Sequence, residues 1–452
     1  MLQFIKSNSL ISILFFVVVG VFLAFLQTQH GNSYFPWEIK NYLIGQKLNA
    51  GFRLYKDIRD NTGPFATGFY QLLDLLNISL ASNPLIAFGI ICLQAYIFQS
   101  TIVKFDLMPQ LGGLAFCVYV ILFHLTREFY VPDPALLGLT FLLLTWKGII
   151  QQQKTLLVND SVFLIGLYLA AATLLFPAYF WLLPWAILSL LFYSGISIRQ
   201  LILVIIGYLF VLTITSLVFS FRGNLSYLWQ VYRNSAFEFQ LISWNEFKQV
   251  LLSFTPAIII GVWGLYKVVG NPKIRAHAQK AQQTTIIWFF FSFITIANSP
   301  SFHRINFVVL LPPLAYFGLN LFYLIKKGWQ KELVFLSLVL AVFFTAKQDN
   351  STENLPRIQL PIHGEKLLVL GPEIQEYLDN KMAGPFVNWE LAKPLLNELN
   401  SFKNVIIVQE YFAKDQPRYI YDSEGYFAKI GQYIPNITQQ YELVSPKLYK
   451  KK

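Results

Sequence analysis

Charge is scarce in this chain. Asp, Glu, Lys and Arg make up only 13% of its 452 residues, against 55% hydrophobic ones. A soluble core of that length cannot hide so much apolar surface, so lipid must cover much of it. The two cysteines, Cys92 and Cys117, both fall inside apolar stretches, which excludes a disulfide framework and a cysteine metal site. Histidine is as sparse: His124 lies near the end of an apolar run with no second histidine beside it, the pattern of a buried, hydrogen-bonded ring. The glycine pattern of a nucleotide loop is missing after Leu368-Val369-Leu370-Gly371, so Gly371 reads as a strand end. The net charge of +11 comes from cations spread over short connections between apolar runs. The positive-inside bias accounts for most of them, and no nucleic-acid partner is expected.

Hydrophobic runs are abundant. They begin near Leu10, Pro84, Leu111, Pro134, Val162, Ala178, Leu201, Val250, Thr284, Asn306 and Leu333, which predicts a mainly α, polytopic transmembrane helical bundle of about eleven spans. The first run, Leu10 to Leu26, follows Lys6 like a signal peptide. Phe25-Leu26-Gln27-Thr28 is not a small-x-small cleavage site, however, so the run is expected to stay as a span. Residues 65–80 are apolar but short, with Asp74 in the middle and Gly63-Pro64 in front, and read as an interfacial or re-entrant helix. With a cytoplasmic N-terminus, the inside connections hold Lys104, then Lys147 and Lys154, then Arg199, then Lys267, Lys273, Arg275 and Lys280, and last Lys326, Lys327 and Lys331. This is the arrangement of a multi-pass membrane protein, and an odd number of spans puts the C-terminal segment outside. The first outside loop, residues 27–63, runs against the bias with Lys40, Lys47, Arg53, Lys56 and Arg59. An anionic ligand would explain those cations; solvated charge is the plainer account.

After Lys347 the composition becomes that of a soluble protein. Residues 1–346 are therefore expected to form the membrane domain and 347–452 a small extracytoplasmic α/β domain behind a polar linker, Gln348 to Pro356. Lys366 to Leu370 predicts a strand, Glu373 to Asn380 a helix, Val405 to Val408 a second strand and Arg418 to Tyr421 a third.

The outside-facing polar residues gather in few places. The first loop reads Phe35-Pro36-Trp37-Glu38-Ile39-Lys40, then Gly51-Phe52-Arg53-Leu54-Tyr55-Lys56-Asp57-Ile58-Arg59-Asp60-Asn61-Thr62-Gly63-Pro64. The second holds Arg127, Glu128 and Asp133-Pro134; a late one holds Phe302-His303-Arg304 ahead of Leu311-Pro312-Pro313-Leu314-Ala315. Between them, residues 222–247, with Trp229, Tyr232, Arg233, Glu238, Trp244 and Glu246, read as an interfacial amphipathic segment.

In this order the stretches resemble the C-type glycosyltransferase superfamily, polytopic enzymes that take a sugar from a polyprenyl-phosphate carrier. Members related to the protein mannosyltransferases and aminoarabinose transferases have an acid in the first outside loop, here Glu38. A Gly-x-x-x-Tyr-x-Asp stretch then leads to a Gly-Pro step, here Gly51 to Pro64. An Asp-Pro-x-Leu-Leu span start follows, here Asp133 to Leu137, and a late His-Arg before Leu-Pro-Pro-Leu-Ala, here His303 to Ala315. Where the family usually pairs two acids in the first loop, this chain has Trp37-Glu38. Gly51 to Pro64 also resembles an uncharacterised bacterial membrane-protein family, and a shared fold need not carry a shared activity.

The resemblance implies an inverting displacement at the anomeric carbon of a polyprenyl-phosphate-linked donor. Glu38 would accept the proton of an extracytoplasmic hydroxyl, with Asp57 and Asp60 beside it as further catalytic candidates. Arg53, Lys56, Arg59, His303 and Arg304 would hold the departing phosphate, and Asp133 would help bind the substrate. No cofactor is required; a divalent metal shared by Asp57, Asp60 and the donor phosphates remains open, although the spacing does not demand it. Plainer roles compete: ion pairs for Asp57 and Asp60, a helix cap for Asp133, and head-group anchors for His303 and Arg304. Two other functions stay open, a catalytically silent relative that docks through its C-terminal domain to a protein partner in an envelope or secretion assembly, and a transporter or flippase. The latter predicts internal symmetry and ionisable residues deep in spans, of which the sequence shows little.

Overall fold

The computed structural model describes residues 34–108, 111–154, 159–237, 239, 243–269, 274–299, 302–348, 358 and 360–452, with residues 17–18 and 20–21. Most of the expected first span and of the linker lie outside these residues, as do Lys6, Lys273, Glu238, Pro300 and Ser301.

In chain order the helices are α1 Pro36–Asn49, α2 Pro64–Leu75, α3 Asn83–Lys104, α4 Gly112–Leu122, α5 Pro134–Lys154, α6 Asn159–Leu175, α7 Leu183–Tyr193, α8 Ile198–Phe221, α9 Leu225–Phe237, α10 Trp244–Val268, α11 Ala276–Ala297, α12 Leu311–Leu324 and α13 Gly328–Gln348. Every apolar run expected from Pro84 onward is helical. Prolines mark the entries, standing in the first turns of α1, α2, α3, α7 and α12, where a missing N–H costs nothing. Among the described residues six helices are long and apolar enough to cross a membrane: Leu80–Lys104, Pro134–Lys154, Ile198–Phe221, Trp244–Val268, Arg304–Leu324 and Gly328–Lys347. The chain is thus a multi-pass membrane protein, mainly α, with a small C-terminal sheet.

The chain divides into two compact units. The first comprises residues 1–32, 81–218 and 232–351. Its core is aromatic: Trp146, Trp185, Trp288 and Tyr316 are each almost wholly buried, and the Trp185 and Trp288 rings lie 4.8 Å apart between centroids. Bonds between helices fix the packing, since Gln94 Nε2 donates to the Leu136 carbonyl (2.7 Å) and Trp185 Nε1 to that of Thr284 (3.0 Å). In lipid each such group must find a partner inside the protein. By contrast α8 and α13 expose Ile202, Phe210, Leu217, Leu336, Leu340 and Phe344, as helices in contact with lipid do.

Glycine sets the closest approach, between α10 and α12. A Cβ on Gly264 would stand 1.9 Å from the Phe317 carbonyl oxygen, which is backbone and cannot rotate away. Gly264→Ala is therefore expected to force α10 and α12 apart and to cost about 1–3 kcal/mol. The check is a lowered melting temperature of the purified protein, with Gly89→Ala, where a Cβ would meet nothing within 4 Å, as the silent control.

The second unit comprises residues 33–80, 219–231 and 352–452, so the C-terminal residues share it with the first loop. Its strands are β1 Lys366–Leu370, β2 Lys381–Met382, β3 Tyr419–Asp422, β4 Tyr441–Ser445 and β5 Leu448–Lys451. They form one sheet in the order β2-β1-β3-β5-β4, parallel from β2 to β3 and antiparallel beyond. Helices α14 Trp389–Asn397, α15 Phe402–Lys414 and α16 Tyr426–Tyr433 complete the module, burying Leu395, Leu396, Val408, Phe412, Phe427 and Ile430 with Leu368, Leu370 and Ile420.

The strands expected at Lys366 to Leu370 and near Arg418 to Tyr421 are present. The strand expected at Val405 to Val408 is not: those residues lie within α15. Val408 and Phe412 are buried while Ile406 is 40% exposed, so burial recurs every three to four residues and the helical period outweighs the β-branched composition. The helix expected over Glu373 to Asn380 is a shorter 3-10 segment, Ile374–Leu378. The apolar segment after Gly63 is α2, about 18 Å long and too short to span. It turns Ala66, Thr67 and Tyr70 inward and exposes Phe65, Leu72 and Leu75, the two-faced character of an interfacial helix.

Candidate functional sites in the two units

In the second unit the first-loop acids all have partners. Glu38 is the third residue of α1 and is buried; its Oε2 accepts the Phe35 N–H at 3.3 Å, so it caps its own helix. Asp57 accepts from the Arg53 backbone N–H (2.8 Å) and Nε (3.2 Å), and Lys414 Nζ of α15 lies 2.5 Å away. Asp60 accepts from Lys40 Nζ (3.0 Å), the Thr62 N–H (2.9 Å) and Asn388 Nδ2 (3.3 Å). Burial pushes both aspartates up, but these donors prevail and hold both below the usual carboxylate range.

The rest of the loop is fastened as firmly. Lys47 Nζ pairs with Asp415, which also accepts from Lys366 Nζ (3.3 Å) and the Gly384 N–H (3.0 Å). The Arg59 N–H reaches the Pro385 carbonyl (3.1 Å), and the Tyr411 hydroxyl donates to that of Lys56 (3.2 Å). Tyr55 sits at φ 64 with its hydroxyl on the Thr62 carbonyl at 2.7 Å, a left-handed conformation that a bulky residue keeps only when its surroundings dictate it. Thus Glu38, Arg53, Lys56, Asp57, Arg59 and Asp60 occupy one unit, each of the acids matched by protein donors. Asp57 and Asp60, turned toward separate lysines, do not fit a shared metal. Among the described residues no group of three or more His, Cys, Asp or Glu is arranged to hold one.

In the first unit the second and late loops meet. Thr126 starts the turn Arg127–Tyr130 by accepting the Glu128 N–H, which carries Glu128 inward until only 5% of it is exposed. Its Oε2 accepts the Ile305 N–H at 3.0 Å, and the charges of Arg304 and Asp133 both act on it. Burial dominates and raises the Glu128 carboxyl to about 7; Asp133 adds to this, while the Ile305 N–H and Arg304 oppose it. Asp133 itself accepts the Ala135 N–H at 2.9 Å at the head of α5, and so acts as the helix cap that its place before Pro134 suggests. Arg304 and His303 are half-buried at the start of the turn Arg304–Leu310 that leads into α12.

His303 precedes Arg304 in the chain, and the charges of Asp133 and Arg304 converge on Glu128, which the sequence reading left among the loop residues. Its signal was faint: a Thr two residues ahead turns an acid inward where an Arg waits far along the chain. The arrangement supplies a carboxyl that changes protonation near neutral pH beside a guanidinium able to hold phosphate in two-pronged fashion.

No family model and no curated protein matches the chain. Solved structures do. The crystal structure of ArnT from Cupriavidus metallidurans bound to undecaprenyl phosphate aligns with a TM-score of 0.53 at 14% identity, over 76% of this chain and 66% of that one. The apo oligosaccharyltransferase of Archaeoglobus fulgidus aligns with a TM-score of 0.56 at 11% identity, over 96% of this chain and 72% of that one. This chain therefore spans about two thirds of the length of the first protein. At such identities the likeness is one of fold.

Proposed function

We propose that this membrane protein, which has the C-type glycosyltransferase fold, transfers a sugar from a polyprenyl-phosphate-linked donor to a hydroxyl on the extracytoplasmic side of a bacterial cytoplasmic membrane. The C-terminal module would share that side. The observation that carries the reading is the meeting in the first unit of Glu128 and Asp133, from one loop, with Arg304, far along the chain.

In this chemistry the acceptor oxygen attacks the anomeric carbon as the bond to the lipid phosphate breaks, and the phosphate leaves with the bonding electrons. Arg304 balances the charge that builds on the phosphate, and His303 lies next to it to add a further hydrogen bond. Glu128 takes the proton of the attacking hydroxyl. We place the base there because Glu38 is engaged at the start of α1. Configuration inverts in this single displacement.

The test supplies the purified protein with polyprenyl-phosphate-linked sugars. Wild type should turn over at least one donor, and Arg304→Ala should bind polyprenyl phosphate about ten- to a hundred-fold more weakly, the value of a charge-assisted hydrogen-bonded pair. If no donor turns over and the substitution leaves lipid-phosphate binding unchanged, the enzyme reading fails.

One observation favours a second reading, a catalytically silent relative serving an envelope assembly. Trp37 stands where an acid pair would be completed, and Glu38, Asp57 and Asp60 all hold structure together. Stoichiometric co-purification of a protein partner, with no bound polyprenyl lipid, would decide for it.

A further inference from the structure

Two lysines of the first unit, Lys104 and Lys147, stand toward the C-terminal ends of α3 and α5. The two helices run in the same direction: Gln94 of α3 bonds to Leu136 of α5, and farther along both, Ser100 meets Lys147. Their C-terminal ends consequently reach the same side of the membrane. There Lys104 closes α3, while Lys147 stands two turns before the end of α5 at Lys154. Lys147 is half-buried, and its Nζ donates to Ser100 Oγ at 3.3 Å.

Among the described residues the charge that acts on Lys147 is a like one, that of Lys104. Neither lysine pairs with a carboxylate there; Asp106, two residues past Lys104, is taken by Arg275. The Lys104 ammonium lies 5.6 Å from the Phe105 ring centre, a contact worth little at an exposed site. Two like charges brought together at a membrane boundary, one anchored by a serine and neither paired with a carboxylate, are eased by an anion that joins them.

We propose that this pair binds the phosphate of an anionic phospholipid head group, whose acyl chains would lie along the apolar surface of the two spans. Lys104 and Lys147 between them keep several N–H donors for phosphate oxygens after the one given to Ser100. The geometry needed is two ammonium groups on one side of the membrane, Lys104 one helical turn beyond the Ser100 that holds Lys147, which the shared direction of α3 and α5 supplies. This inference does not depend on the transfer chemistry proposed above.

The experiment compares dioleoyl phosphatidylglycerol with dioleoyl phosphatidylcholine for retention on the full-length protein by native mass spectrometry. Wild type should retain the anionic lipid preferentially by roughly ten-fold, given what each basic residue contributes near an anionic surface. The double variant Lys104→Gln, Lys147→Gln should lose that preference, and Lys104→Arg, Lys147→Arg should keep it. A parallel arm heats lipid-stripped protein with inorganic phosphate alone. If phosphate raises the melting temperature of wild type but not of the glutamine variant, and the two lipids are retained equally, the site stands with free phosphate as its source. Equal retention of both lipids by wild type with no effect of phosphate overturns the proposal, as does an undiminished preference in the glutamine variant.

Discussion

Asp415→Ala is expected to destabilise the second unit by about 3–5 kcal/mol, because it strands a buried lysine without its counter-charge. Asp415 and Lys47 are both about 7% exposed, and the same carboxylate also serves Lys366 and Gly384. Limited proteolysis should read the loss as rapid cleavage within residues 360–452, with the membrane spans still protected. The pair pulls two ways: burial draws the Lys47 amine below its usual value even against Asp415, while the same lysine helps hold Asp415 low despite burial. The carboxylate decides the outcome, since three donors converge on it. Its depressed value fixes the sign of the pH dependence. With Asp57 and Asp60, also depressed, it contributes stability that is complete above the ordinary carboxylate range and is lost as pH falls through the lower folded values. The unit should therefore loosen in acid, and Asp415→Ala should show a weaker acid transition than wild type. Unchanged proteolysis in the variant would show that Lys47 finds water instead.

Glu128→Gln is expected to lower sugar transfer by about a hundred- to ten-thousand-fold, the range for removing a positioned base. With the wild-type carboxyl raised to about 7, transfer should increase as pH climbs through that value and level off above it; the variant's residual rate should be flat. Stability runs the opposite way. A folded value above the ordinary one favours the protonated acid, so the contribution is complete at low pH and declines as pH rises toward 7, by on the order of 3 kcal/mol. Glu128→Gln, neutral throughout, should hold its melting temperature over that interval while wild type loses some. A pH–rate profile identical in both proteins would remove Glu128 from the chemistry and leave the Arg304 arm of the proposal standing alone.

Much of the fold was legible because lipid imposes a coarse rule. A run such as Pro134 to Trp146 is apolar but for two threonines, and only a helix satisfies its backbone in hydrocarbon. Lys366 to Leu370 was equally plain as a short buried strand ending at a glycine. Val405 to Val408 misled because four β-branched residues in a row outweigh a period visible only when Phe412 is counted with them. Strands β4 and β5 went unseen since Tyr441 to Ser445 and Leu448 to Lys451 mix charge and apolar side chains without alternation. For the proposed site, the order of motifs pointed to the loops of Asp133 and Arg304, whose charges act on Glu128. No spacing in the sequence reveals that Asp57 faces Lys414 or that Lys47 faces Asp415, since those partners are more than three hundred residues away. Glu128 was concealed for the same reason, because its environment comes from Arg304 and Ile305.

The assembly of the second unit from three separated stretches dictates a timetable for biogenesis. A nascent chain delivers Lys40, Lys47 and Asp57 early, yet the residues that neutralise Lys47 and complete the shell around Asp57 and Asp60 leave the ribosome more than three hundred residues later. Until Asn388, Lys414 and Asp415 arrive, the loop after α1 must wait at the membrane surface with Lys47 unmatched and Asp57 and Asp60 paired only with Arg53 and Lys40, exposed to proteases and chaperones. A stop codon ahead of Lys414 would thus damage a loop more than three hundred residues upstream, while the spans between insert as usual.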